Sequence, residues 1–272
     1  MLWLSIALGA EVDAQGDARL LGSLYPDFEV DADGGTTGQK AVLETRLRVG
    51  VDLAFSDGDA FHLEGDVLDA QVLGNPWQLG AADTRRRDVK GLADASAYVI
   101  RRASFTSRTG PVLWEAGLQT SQWGLGLVAN NGTADPLFGR VDGGDTVLRL
   151  KGSTMPLGAE TPLYLVLSAD RVYADDAARW LDGQAAYQGV LALLWRGDVE
   201  LGAYGVLRHQ REEDRSLRTT AGVVDVYGRV PVITGETSVS LGWEAAGIVG
   251  QTSRAASYNS TSGLKLRSGG GL

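Results

Sequence analysis

Between Val42 and Phe55 hydrophobic and polar residues alternate almost without a break. Leu43, Thr45, Leu47, Val49, Val51, Leu53 and Phe55 hold one parity, and Glu44, Arg46, Arg48, Gly50, Asp52 and Ala54 hold the other. A period of two places successive side chains on opposite faces, so the segment predicts a β-strand with one apolar and one polar side. An ordinary strand has about five or six residues. A strand tilted through a bilayer needs about 9 to 11, and this run supplies them. The tight-turn tetrad Ser56-Asp57-Gly58-Asp59 follows. A return strand then sets Phe61, Leu63, Gly65 and Val67 against His62, Glu64 and Asp66.

The same pattern recurs down the chain. Val112, Trp114, Ala116 and Leu118 alternate with Glu115, Gly117 and Gln119; Thr146, Leu148 and Leu150 alternate with Val147, Arg149 and Lys151. Leu163, Leu165 and Leu167 alternate with Tyr164, Val166 and Ser168. Around Arg196-Gly197-Asp198, a hairpin sets Tyr187 to Trp195 against Val199 to Leu207, with apolar residues on odd positions of both arms. Val239, Leu241, Trp243 and Ala245 form a later apolar face opposite Ser238, Ser240 and Glu244. Fainter strands are expected at Ala18–Asp31, Gly91–Ser107, Leu217–Tyr227 and from Gly263 onward. Short connections near 56–60, 107–111, 154–160, 196–198 and 229–236 alternate with longer ones near 31–40, 71–91, 122–144, 170–185, 209–217 and 250–262. Twelve strands in an antiparallel up-and-down order result, with short turns at one end and long loops at the other. This is the rhythm of a transmembrane β-barrel. A soluble β-sandwich explains the alternation but not the strand length or the short–long rhythm.

Composition narrows the function classes. No stretch approaches the ~18 consecutive apolar residues of a membrane helix, while a mean hydropathy of -0.06 suits strands that average a lipid-facing and a water-facing side. The 37 glycines in 272 residues are about twice the roughly 7% average usage. Having no cysteine excludes disulfides and thiolate metal sites. The formal charge of -9 argues against nucleic acid as a partner. Leu2–Leu8 is a short apolar core before a small-residue site at Val12-Asp13-Ala14, so residues 1–14 read as a signal peptide shortened at its start, since the first basic residue is Arg19. Residues 15–272 then read as a single barrel domain.

Ser121-Gln122-Trp123-Gly124-Leu125-Gly126-Leu127-Val128-Ala129-Asn130-Asn131-Gly132, followed by Gly143-Gly144-Asp145-Thr146-Val147, is the most distinctive sequence in the chain. The pair resembles an uncharacterised, porin-like family of outer-membrane β-barrels from myxobacteria and their relatives. The resemblance spans about thirty residues and brings no catalytic or substrate residues with it. Members of that family are longer, and Arg267–Leu272 does not complete a strand, so the chain reads as a barrel lacking C-terminal strands. Read physically, Trp123 would sit at the membrane interface together with Trp114, Trp195 and Trp243. Asn130-Asn131-Gly132 and Asp142-Gly143-Gly144-Asp145 are loop chemistry, and the paired acids of the second read as solvated turns rather than a Ca²⁺ site.

The polar parity supplies the candidate functional residues. Glu44, Arg46, Arg48, Asp52, His62, Glu64, Asp66, Glu115, Arg149, Lys151, Glu200, Arg208, Asp225 and Glu244 are expected to line a lumen. Both signs occur, consistent with salt bridges across the wall or with a weakly selective passage. His62 near Glu64 and Asp66 is raw material for a hydrolase. Side chains two apart on one strand stand ~6–7 Å apart, however, so spacing alone makes no dyad. Arg85-Arg86-Arg87 falls in a long loop and reads as solvated. The expectation is a non-enzymatic outer-membrane pore, without metal or cofactor, in contact with lipid and passing small hydrophilic solutes. A plugged structural or adhesion barrel with ligand-binding loops is the alternative, and an outer-membrane hydrolase the less favoured one.

Overall fold

A computed structural model describes residues 10–27, 40–56, 58–74, 98–132, 144–175, 178–211, 217–233, 238–253 and 264–269. The side chain of Glu44, the arginines at 85–87, and Asp142 and Gly143 lie outside the described residues. The fold is all-β. Its strands are β1 (Glu11–Tyr25), β2 (Lys40–Ser56), β3 (Asp59–Gly74), β4 (Tyr98–Thr109), β5 (Val112–Thr120), β6 (Thr146–Thr154), β7 (Leu163–Ala174), β8 (Ala185–Arg196), β9 (Glu200–Arg211), β10 (Arg218–Ile233), β11 (Val239–Thr252) and β12 (Leu264–Gly269). A 3-10 turn, Trp180–Asp182, lies in the connection after β7. Strand order follows chain order, an antiparallel up-and-down meander. No helix among the described residues is long and apolar enough to cross a membrane.

The chain divides into two compact units. One comprises residues 1–55 and 61–103, and the other residues 56–60 and 104–272. In the first unit β1 pairs with β2 from Glu11↔Ala54 to Tyr25↔Lys40. The residues read as the end of a leader, Glu11–Ala14, therefore open β1, and the faint strand expected at Ala18–Asp31 starts earlier and ends at Tyr25. In the second unit β5 to β12 pair neighbour by neighbour. The expected turn at 229–236 gives way to strand as far as Ile233, with a register shift between Pro231 and Ile233. Proline has no N–H to give to the ladder, so a bulge at Pro231 lets the strand continue past it.

Burial along these strands runs opposite to that of a water-soluble sheet. Leu167 and Leu207 are 56% and 76% exposed, whereas Asp66 and Asp225 are 1% and 0% exposed. Leu47, Val49 and Leu63 in the first unit, and Trp114, Leu148, Leu191, Leu201, Val224 and Leu241 in the second, all present their side chains outward. Arg46, Arg48, Arg101, Glu115, Asp170, Gln210 and Glu244 are buried. In water this arrangement loses twice, because apolar area stays wet while charges lose hydration. With a hydrocarbon solvent on the apolar side, the first loss disappears.

Candidate functional site

On the polar face of the first unit, the residues that alternation singled out find one another. The Arg48 guanidinium grips Asp66 with both arms, Nε to Oδ1 at 2.6 Å and Nη2 to Oδ2 at 2.8 Å. Arg101 Nε approaches the same carboxylate at 3.7 Å, and Glu64 stands 3.8 Å from Arg48. Arg46 reaches Asp17 on β1 at 3.1 Å. A bidentate contact fixes both planes and is the strongest form of such a pair. His62 does not meet Glu64 or Asp66, as strand geometry requires. Its Nδ1 instead lies 2.6 Å from Asp52 Oδ1, ten residues back along the chain and on the neighbouring strand.

The second unit carries a longer set of pairs. Glu115 accepts from Ser104 Oγ at 2.9 Å and pairs with Lys151. Arg149 forks onto Asp170 at 2.7 and 2.6 Å and donates to Ser121 Oγ at 2.8 Å, and Gln188 also donates to Asp170 at 3.1 Å. Arg208 pairs with Asp175 and donates to Gln210 at 2.8 Å. Tyr227 donates its hydroxyl to Glu200 at 2.7 Å. Arg101, Asp170, Asp175, Tyr204 and Gln210 were not foreseen. All but Asp175 belong to strands and sit on the polar parity, so extending the alternation through β4, β7 and β9 would have found them.

Residues 121–132 form the central feature of this unit. After β5 the chain does not run outward but closes into a compact hook. Trp123 N–H donates to Ala129 O at 3.0 Å, Gly126 N–H to Trp123 O at 2.9 Å, and Asp145 N–H to Asn130 O at 2.8 Å. The Gln122 side chain ties the hook across its neck by accepting from Asn131 N–H at 3.1 Å. Gly144, at φ +72°, passes so close that a Cβ there would stand 2.3 Å from the Asn131 carbonyl carbon. No side chain fits that crossing, which accounts for glycine in this half of the motif.

The hook lies on the polar face of β8 to β11. The Trp123 indole stacks on Tyr204 with ring centres 5.1 Å apart, meets Tyr227 edge-on at 6.4 Å, and donates Nε1–H to Asp225 Oδ1 at 2.9 Å. Val190, Ala192 and Val206 complete the seat. Gly202 opens room for the ring, since a Cβ there would be 2.6 Å from the indole. Leu125 N–H donates to the Glu244 carboxylate. The Asp225 and Glu244 carboxyl groups are neighbours beneath the hook, and Asp225 Oδ2 and Glu244 Oε1 are buried. Trp123 is thus buried at 8% exposure, away from the interface position expected for it. Trp114, Trp195 and Trp243 are 43%, 40% and 45% exposed on the apolar face. The hook turns back at Trp123–Gly126, and there the indole N–H meets the buried Asp225 carboxylate of a distant strand. Among the described residues no three His, Asp or Glu side chains converge as a cation cage.

No family model and no curated protein matches the chain. Among solved structures it is similar to OmpT, an outer membrane protein of Vibrio cholerae. Its loop L8 deletion mutant aligns at 12% identity and TM-score 0.43, covering 90% of this chain and 83% of that one. The in-vitro folded trimer form aligns at 13% identity and TM-score 0.42, covering 90% and 81%.

Proposed function

We propose that the chain is an outer-membrane β-barrel pore for small hydrophilic solutes, with the 121–132 hook as its constriction. The observation that carries the reading is the inverted burial. Large apolar side chains face outward along β2 to β11, while ion pairs and a polar network occupy the other face. A transmembrane barrel makes this distribution favourable, because lipid contacts the first face and water-filled space the second. Alternating paired charges along β5 to β9 offer a hydrated wall with no strong excess of either sign. The hook would then set how much of that space stays open. A fully plugged barrel with binding loops is the second reading, favoured by the hook's many contacts with the wall.

Planar-bilayer recordings of the purified protein separate the two. Discrete ohmic steps are expected from the wild type, with larger steps from Trp123→Ala. Silence from the wild type but conductance from the variant would make the hook a plug. Silence from both would overturn the pore.

A further inference from the structure

We propose that the apolar face of β7 to β11 holds a binding site for an anionic phospholipid. The inference rests on the membrane reading above. Cross-strand register places Arg171, Tyr187, His209, Thr220 and Gln251 in one row on the outward face, near the ends served by the longer connections. One step nearer the strand ends, Arg211 and Arg218 are directly opposite each other. Two residues the other way, Ala169, Gly189, Leu207, Gly222 and Val249 form the next row. The second row and four residues of the first, Tyr187, His209, Thr220 and Gln251, border a hollow of about 880 Å³, with Arg171, Arg211 and Arg218 outside its lining. Gly189 and Gly222 stand where the next row inward carries Leu191 and Val224, and the floor is open at Gly189. A Cβ built at Gly189 would meet nothing within 4 Å.

Charge and shape in this patch point to the same ligand. Arg211 and Arg218 are exposed cations facing each other across two strands, an arrangement that costs stability by itself. An anion between them removes that cost, and arginine forks suit phosphate oxygens. Arg211 Nε donates to His209 Nε2 at 2.9 Å. His209 must therefore carry its ring proton on Nδ1, where it faces Thr220 Oγ1 at 3.0 Å. The imidazole in this way braces Arg211. Arg171 lies 3.7 Å from the Trp180 ring centre and 5.7 Å from that of Tyr187, which fixes a third cation in the same row. A phosphate headgroup at the arginines with an acyl chain along the glycine-floored hollow satisfies both halves. Inorganic phosphate would use the first half alone.

The test uses the whole chain in phosphatidylcholine nanodiscs carrying a minor fraction of phosphatidylglycerol. The full chain is used because Glu212, Glu213 and Asp214 directly follow Arg211 in the sequence. Retention of each lipid on the released protein is read by native mass spectrometry. Phosphatidylglycerol should be enriched over phosphatidylcholine, and Arg211→Gln with Arg218→Gln should lower the enrichment by about fivefold per arginine. Gly189→Leu keeps every cation but fills the hollow, and should lower retention too. Millimolar inorganic phosphate should leave the lipid bound. Insertion without enrichment, enrichment indifferent to both sets of changes, or displacement by phosphate would each overturn the site while leaving the barrel reading intact. Failure of the wild type to enter nanodiscs would overturn both. A heat-induced gel shift confirms that each variant has folded.

Discussion

The indole of Trp123 donates its N–H to the carboxylate of Asp225, 2.9 Å away and 102 residues along the chain. That bond joins the hook after β5 to the middle of β10. The ring is held by stacking on Tyr204 and by the space Gly202 leaves, and the buried acid gains a donor it would otherwise lack. One side chain therefore fixes both the hook and the carboxylate beneath it.

Trp123→Ala should release the hook. Removing a buried tryptophan costs about 3–5 kcal/mol, and Asp225 loses its donor as well. The expected outcome is a larger and noisier single-channel conductance, with a lower guanidinium midpoint for unfolding from lipid vesicles. Unchanged conductance alongside the lower midpoint would mean that the hook holds the wall together without narrowing the passage.

Asp225→Asn should behave in the opposite way. Asp225 Oδ2 and Glu244 Oε1 are buried oxygens without a hydrogen-bond partner, and two acceptors placed together repel. Asparagine keeps Oδ1 for the indole and puts an N–H₂ donor toward Glu244. The variant is expected to match or exceed the wild type in unfolding midpoint while conducting alike. A marked loss of stability would show that a proton shared between the two acids does this work better than the amide.

How much of this was legible beforehand depends on which residues are considered. The parity of β2 and β3 assigns Arg48, His62 and Asp66 to the polar face directly, because period two leaves no other choice when long apolar runs share one side. Their partners are another matter. Arg48 meets Asp66 rather than a residue on its own strand, and His62 meets Asp52, because register decides pairing and parity does not contain register. Trp123 shows the deeper limit. Nothing local separates an interfacial tryptophan from one folded back onto its own wall. The signals lay 79 to 121 residues away, in Gly202, Tyr204, Asp225 and Glu244 on the polar parity of three other strands. Glycines at Gly124, Gly126 and Gly144, all at positive φ, mark a tightly folded segment in retrospect, but not the direction in which it folds.

Asp66→Leu should be among the most damaging single changes in the first unit. Arg48 and Arg101 both approach this carboxylate, and both guanidiniums are buried. Deleting one partner of a buried pair costs about 3–5 kcal/mol, because a buried charge loses its closest counter-ion. The double variant Asp66→Leu with Arg48→Leu should recover part of the loss, measured as the fraction migrating as folded barrel after heating in detergent. No recovery would mean that Arg101 or Glu64, rather than Arg48, dominates the balance.

Leu167→Arg tests the membrane reading itself. Leu167 lies on the outward parity of β7, and its neighbour Ser168 on the polar parity. On a sheet bathed in water, arginine at such an exposed position should shift stability by no more than about 0.5 kcal/mol. On a lipid-facing strand near the bilayer middle it should cost about 2–4 kcal/mol. Position along the strand matters, since the penalty falls toward the interfaces. Leu167 is suitable because β7 extends four residues before it and seven after it. Arginine at Leu163, the first residue of the same strand and face, is therefore the internal control and should cost far less. Equilibrium folding of the three chains into vesicles, with guanidinium as denaturant, measures the differences. Equal and negligible penalties at both positions would place water, not lipid, against the apolar face.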